Sequence, residues 1–125
     1  MSKTAKPRQR PEEALIELVV DVLDDLKAEA ITCLDVRHLT SMTDAMIIAN
    51  GRSARHVRGI AGALVERCKE NDHRPIGVEG EDGGHWILID LAYVVVHVMQ
   101  PTVREFYDLE KLWDIERLED AEESF

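Results

Sequence analysis

Trp86, Leu88 and Asp90 alternate along one short apolar run, and Val95, His97 and Met99 alternate along the next. On extended backbone, alternate side chains share a face, so Ile87 and Ile89 point away from the first set. If Asp90 lies opposite Tyr93 in a tight hairpin, Leu88 faces Val95 and Trp86 faces His97. One face then combines an indole, aliphatics, a phenol, a carboxylate and an imidazole. That mixture fits two roles: core packing beneath a helix, or a contact surface of the aromatic-plus-polar kind that dominates protein interfaces. His97 can serve as a contact residue or as a hydrogen-bonded structural one.

Catalytic constellations are weaker. His85, His97, Asp90 and Glu79 are possible metal ligands by type, but none stands at a recognised ligand spacing, so no metal is expected. Gly51-Arg52-Ser53 precedes a helical pattern, and a helix N-terminus can cradle a phosphate. A nucleotidyl-transferring enzyme, the alternative function for this chain, also needs paired carboxylates to hold two metal ions. The sequence contains no Asp-x-Asp, and Glu79-Gly80-Glu81 sits in a glycine-rich turn. No catalytic residues and no cofactor are assigned.

The 125 residues suffice for one domain, and 45% hydrophobic with 32% charged composition is ordinary for a globular protein. No apolar run approaches the roughly 20 residues that span a bilayer. No apolar stretch marks a secretory signal at the N-terminus, which points to the cytoplasm. Cys33 and Cys68 lie too far apart for a metal knuckle and read as small buried hydrophobes. The net charge of -10 disfavours a general nucleic-acid binder and suits a basic partner. Residues 1–10 form a basic, disordered tail with Lys3, Lys6, Arg8 and Arg10. Residues 115–125 form an acidic tail, and 11–114 form the domain.

The elements that must position the alternating residues follow from periodicity. Pro11-Glu12-Glu13 starts a helix, where proline costs nothing and carboxylates complement the dipole. Leu15, Leu18, Val19, Val22, Leu23 and Leu26 recur on its inner side. Ile31 to Val36 and Ala45 to Ala49 read as strands. Ser53 caps a second helix with Val57, Ile60, Leu64 and Cys68 inward, and Arg52, Arg55, Arg58, Arg67 and Lys69 outward. Asn71-Asp72 ends it. Ile76 to Glu79, His85 to Asp90 and Tyr93 to Met99 are three more strands. Thr102 to Glu105 has the form of a capping box, followed by a short helix or turn packing Phe106, Leu109, Leu112 and Trp113. The fold class is α/β (α+β), a five-stranded mixed sheet with helices mainly on one face. Two long helices cannot readily cover both faces of five strands.

Four stretches resemble the ribosomal silencing factor, or Iojap-like, family. They are Leu34-Asp35-Val36, Thr43-Asp44 through Gly51-x-Ser53, Val78-Glu79-Gly80, and a C-terminal run. That run comprises Trp86-x-Leu88-x-Asp90, Val94-Val95-Val96-His97 and Arg104-Glu105-Phe106-Tyr107-x-Leu109-Glu110-x-Leu112-Trp113. The resemblance implies a nucleotidyltransferase-like fold without catalytic carboxylates. It also implies binding to the large ribosomal subunit through its ribosomal protein fourteen, which blocks joining of the small subunit when nutrients are short. The sequence departs from the family pattern at Ala45-Met46, where bulky aromatics are usual, and at Ala92-Tyr93, where Gly-Asp is common. A glycine-free turn accommodates a longer or bulged connection. On this reading Trp86, Leu88 and Val95 are the apolar anchor, Glu79 and Asp90 meet partner cations, and Tyr107 borders the patch with His97 and Met99 beside it. Arg104 and Glu110 are expected to fix the C-terminal helix on the sheet. An uncovered sheet face also leaves room for a homodimer of the free protein.

Overall fold

The computed structural model describes residues 11–113; the expected tails over 1–10 and 115–125 lie outside them. The element order is α1 (Pro11–Asp25), β1 (Glu29–Asp35), β2 (Ala45–Asn50), α2 (Ala54–Glu70), β3 (Gly77–Glu79), β4 (Trp86–Asp90), β5 (Val94–Met99), α3 (Pro101–Tyr107) and α4 (Leu109–Trp113). Helix, two strands, helix, three strands and a C-terminal helical segment occur in the expected order. The strands form one five-stranded mixed sheet in the order β1-β2-β5-β4-β3, with β2 and β5 parallel and the other neighbours antiparallel.

Both long helices pack on one face because each carries a single apolar stripe. Leu15, Val19, Val22 and Leu23 of α1 and Val57, Ile60, Ala61, Leu64 and Cys68 of α2 are buried against Ile47, Ile87, Ile89, Val96 and Val98. Each such leucine, isoleucine or valine contributes about 1.5–3 kcal/mol when fully buried. The helices also stop alike. Ala28 N–H reaches Leu23 O and Lys27 N–H reaches Asp24 O, while His73 N–H reaches Cys68 O and Asp72 N–H reaches Lys69 O. This is the Schellman pattern, with Lys27 (φ 63°) and Asp72 (φ 65°) in the left-handed position that glycine usually fills.

Three expectations are corrected. Cys68 is buried, and burial pushes its thiol up to about 11, but Cys33 is exposed because β1 is an edge strand. The capping box at Thr102 does not form. Pro101 already occupies the first turn, so Gln100 is the cap residue and makes no side-chain cap bond. Phe106 is 80% exposed rather than packed. Among the described residues no helix is long and apolar enough to cross a membrane.

Candidate docking surface

The face of the sheet opposite α1 and α2 is built from three cross-strand rows. Leu34, Met46, Val95, Asp90 and Gly77 form one, and Thr32, Ile48, His97, Leu88 and Glu79 the next. The third runs Asn50, Met99, Trp86. The pairing differs from the simple hairpin: Asp90 faces Val95, Leu88 faces His97 and Trp86 faces Met99. Four residues, not two, lie between the paired Asp90 and its partner Val95, and Ala92 takes a left-handed φ of 73°. Asp90 Oδ1 accepts from Ala92 N–H at 2.9 Å and so closes this turn. The register therefore moves by two residues. An even shift keeps every side chain on its expected face and changes only its opposite neighbour.

α3 and α4 cover part of this face. Val103 and Leu109 pack with Leu34 and Trp86 onto the buried Val36, Met46, Ile48 and Met99. Arg104 holds these helices in place, as expected. Its five N–H donors all find acceptors: Nε and Nη2 grip the two Glu110 oxygens at 2.9 and 2.8 Å, Nη1 reaches Ala30 O at 2.7 Å and Asn50 Oδ1 at 2.9 Å, and Nη2 reaches Thr32 Oγ1 at 3.0 Å. Ala30 sits at a register shift in β1 with φ 52°, and its carbonyl is one of those acceptors.

Beyond that cover lies an open aromatic cluster. The Trp86 and Tyr107 ring centroids are 4.9 Å apart, and Phe106 meets Tyr107 edge-on at 5.0 Å. Phe106 is 80% and Tyr107 54% exposed, while Trp86, Leu88 and Val95 are half-buried. Glu79 is exposed beside Leu88. Two expected members fall beneath the surface. Met99 has no exposure and His97 only 5%, because both belong to the central strand β5, with Trp86 laid against them. Phe106 was missing from the expected surface set, although adjacent residues on a helix point about 100° apart and cannot both pack inward beside Tyr107.

Within the cluster, Trp86 Nε1–H donates to His97 Nδ1 at 2.9 Å. Burial lowers the His97 pKa to about 4, so the ring is neutral and its proton resides on Nε2. That Nε2 is itself buried, with no hydrogen-bond partner among the described residues.

The stretch with phosphate-binding form is occupied by its own fold. Ser53 Oγ accepts from His56 N–H at 3.1 Å, and Arg52 N–H donates to His56 Nδ1 at 2.9 Å. A Cβ at Gly51 would stand 2.7 Å from Val57 Cγ2, so this glycine serves close packing. At the far end of the strands from Trp86, a cleft of about 290 Å³ is lined by Glu12, Ile16, Cys33, Asp35 and Asp44. Three hydrogen bonds from Arg37, two through its guanidinium and one through its backbone N–H, hold the Asp35 pKa down to about 2. No group of three His, Cys, Asp or Glu among the described residues could hold a metal ion.

Fold and surface together define a small α+β mixed-sheet domain with helices packed on one face and a partly open aromatic patch on the other. The chain belongs to the ribosomal silencing factor family: the family model described as "Ribosomal silencing factor during starvation" matches residues 8–124. A ribosomal silencing factor of Haemophilus influenzae is 44% identical over 100 residues, covering 80% of this chain and 98% of that protein. The mouse "Mitochondrial assembly of ribosomal large subunit protein 1" is 31% identical over 110 residues, covering 84% of this chain and 47% of that protein. A crystal structure of a Chromobacterium violaceum protein superposes with a TM-score of 0.81 at 39% identity, covering 83% of this chain and 87% of the other.

Proposed function

We propose that this protein is a cytoplasmic, non-enzymatic translational repressor. It docks on the large ribosomal subunit, chiefly on ribosomal protein fourteen, and its bulk then prevents the small subunit from joining when nutrients are limiting. The observation that carries this reading is the aromatic cluster of Trp86, Tyr107 and Phe106, open to solvent in a chain of the silencing family. Aromatic side chains ringed by polar groups are the usual energetic centre of an interface. The mouse relative's name, which concerns assembly of the ribosomal large subunit, agrees with that partner. A net charge of -10 suits a basic ribosomal protein and would speed encounter. Exposed Glu79 would meet a partner cation, with Asp90 contributing the oxygen that its turn leaves over.

Sucrose-gradient sedimentation of lysate tests the proposal. The protein is expected to co-migrate with free large subunits and to be absent from joined ribosomes. Purified subunits mixed with the protein should fail to form joined ribosomes as magnesium is raised. A position only at the top of the gradient, or unimpeded joining, would refute the reading.

A further inference from the structure

The start of α2 carries a charge pattern at odds with the rest of the chain. Arg52, Arg55 and Arg58 stand at every third position in a protein of net charge -10, and all three are exposed. Arg37, Arg67 and Arg104 pair with Asp35, Asp25 and Glu110, but among the described residues none of these three has a carboxylate within ion-pairing distance. Beside them an open depression of about 400 Å³ is lined by Arg52, Ser53, Arg55, His56 and Gly59. His56 stiffens its floor, with Nδ1 accepting from Arg52 N–H and Nε2 donating to Leu26 O at 2.9 Å. Gly59 and Gly62 continue the same helix face, and a Cβ at either would meet only open space. Each costs about 1 kcal/mol of helix propensity relative to alanine, yet leaves the helix backbone open to close approach.

The stripe lies on the helix-covered side of the sheet and approaches the aromatic patch at the Gly84 turn, where the chain enters β4. A Cβ at Gly84 would lie 2.7 Å from Arg58 Nη1, so this guanidinium covers the turn two residues before Trp86. A rigid surface that engages Trp86 and Tyr107 and wraps past this turn would next meet Arg58, Arg55 and Arg52.

We infer that Arg52, Arg55 and Arg58 contact the phosphate backbone of ribosomal RNA, as a second element of the footprint whose protein-binding element is the Trp86 patch. The inference rests on the docking reading above. Guanidinium groups match phosphate oxygens in geometry and stay charged. Contacts of this kind carry no base sequence, and they fix the orientation of the bound protein. RNA is favoured over a second acidic protein because three unpaired arginines beside an open backbone suit an evenly charged, bulky rod. The acidic remainder of the chain would keep it off RNA outside the ribosome.

The test measures binding of the full-length protein to purified large subunits across a range of potassium chloride concentrations. Each phosphate contact adds roughly 0.7–0.9 to the slope of log affinity against log salt. The triple variant Arg52→Gln, Arg55→Gln, Arg58→Gln is expected to lower that slope by about 2 and to converge with the unaltered protein at high salt. Trp86→Ala should instead weaken binding at every salt concentration and leave the slope as it was. A photoreactive amino acid at Gly59 should crosslink to RNA. An unchanged slope in the triple variant with binding retained, or crosslinks to protein alone, overturns the RNA contact and leaves the docking reading intact. Failure of the unaltered protein to bind subunits at any salt overturns both.

Discussion

The indole N–H of Trp86 is bonded to His97 Nδ1, so the half-buried base of the aromatic patch is held by a histidine that solvent barely reaches. The surface residue borrows its rigidity from the core residue. Ordering an interface side chain before binding removes an entropic cost of about 0.5–1.5 kcal/mol at the moment of association.

The first consequence concerns pH. His97 titrates near 6.5 when unfolded and at about 4 when folded, because burial disfavours the charged ring. Below pH 6.5 the unfolded chain takes up a proton that the folded chain declines. Stability therefore falls as pH drops from about 6.5 to about 4 and this contribution is flat below, with a total loss of about 3 kcal/mol. Asp35 titrates lower, from 3.8 to about 2, and does not enter this window. His97→Asn keeps an acceptor for the indole, and urea denaturation at pH 7 and pH 5 should show a smaller pH difference than in the unaltered protein. An equal difference would remove His97 as its source.

Trp86→Ala is expected to cost at least about 2 kcal/mol of affinity for the large subunit, roughly thirty-fold in Kd. Because Trp86 also packs on Met99 and binds His97, the loss combines contact with local order. Tyr107→Ala, at a more exposed site, should weaken binding less and leave the melting temperature nearly unchanged. Subunit pelleting assays with both variants check this, and undiminished binding by a folded Trp86→Ala protein would exclude it as the anchor.

Arg104→Ala should destabilise the fold by about 3–5 kcal/mol, since Glu110, Asn50 and Thr32 lose a partner inside a partly buried network. Arg104→Lys should recover less than half of that loss. An ammonium cannot grip both Glu110 oxygens while also reaching Ala30 O. Thermal unfolding of the two variants gives the comparison, and a lysine variant as stable as arginine would contradict the role assigned to the fork.

Gly80 has φ +87°, and a Cβ there would run into the Trp86 carbonyl. Gly80→Ala is expected to cost about 2 kcal/mol or more and to displace the start of β4. The readout is a blue- or red-shift of tryptophan fluorescence alongside the melting temperature. Loss of stability with an unmoved Trp86 spectrum would show that the strain is relieved elsewhere.

Periodicity along the chain was enough to place the two long helices and the five strands and to say which residues of β4 and β5 share a face. Side chains alternate locally on a strand, and helix stripes recur locally every three or four residues, so neither needs knowledge of a distant partner. The outer-face set from Trp86 to Asp90 and from Val95 to Met99 was legible for that reason, and survived a two-residue change of register. What only the tertiary structure decided was depth and pairing. His97 and Met99 belong to the same alternation as Val95, but Trp86 lies against both, and Val103 and Leu109 help to cover Met99, all arriving from other elements. The turn at Ala92 depends on a left-handed residue that alanine seldom adopts; the glycine-free Ala92-Tyr93 pair marked a longer or bulged connection there but not the register it sets. Arg104 meets Ala30, Thr32 and Asn50 across 54 to 74 residues of chain, and burial of its charge is tolerated only because all those acceptors converge. Sequence determined which residues share a face; packing between distant segments decided which of them a partner can touch.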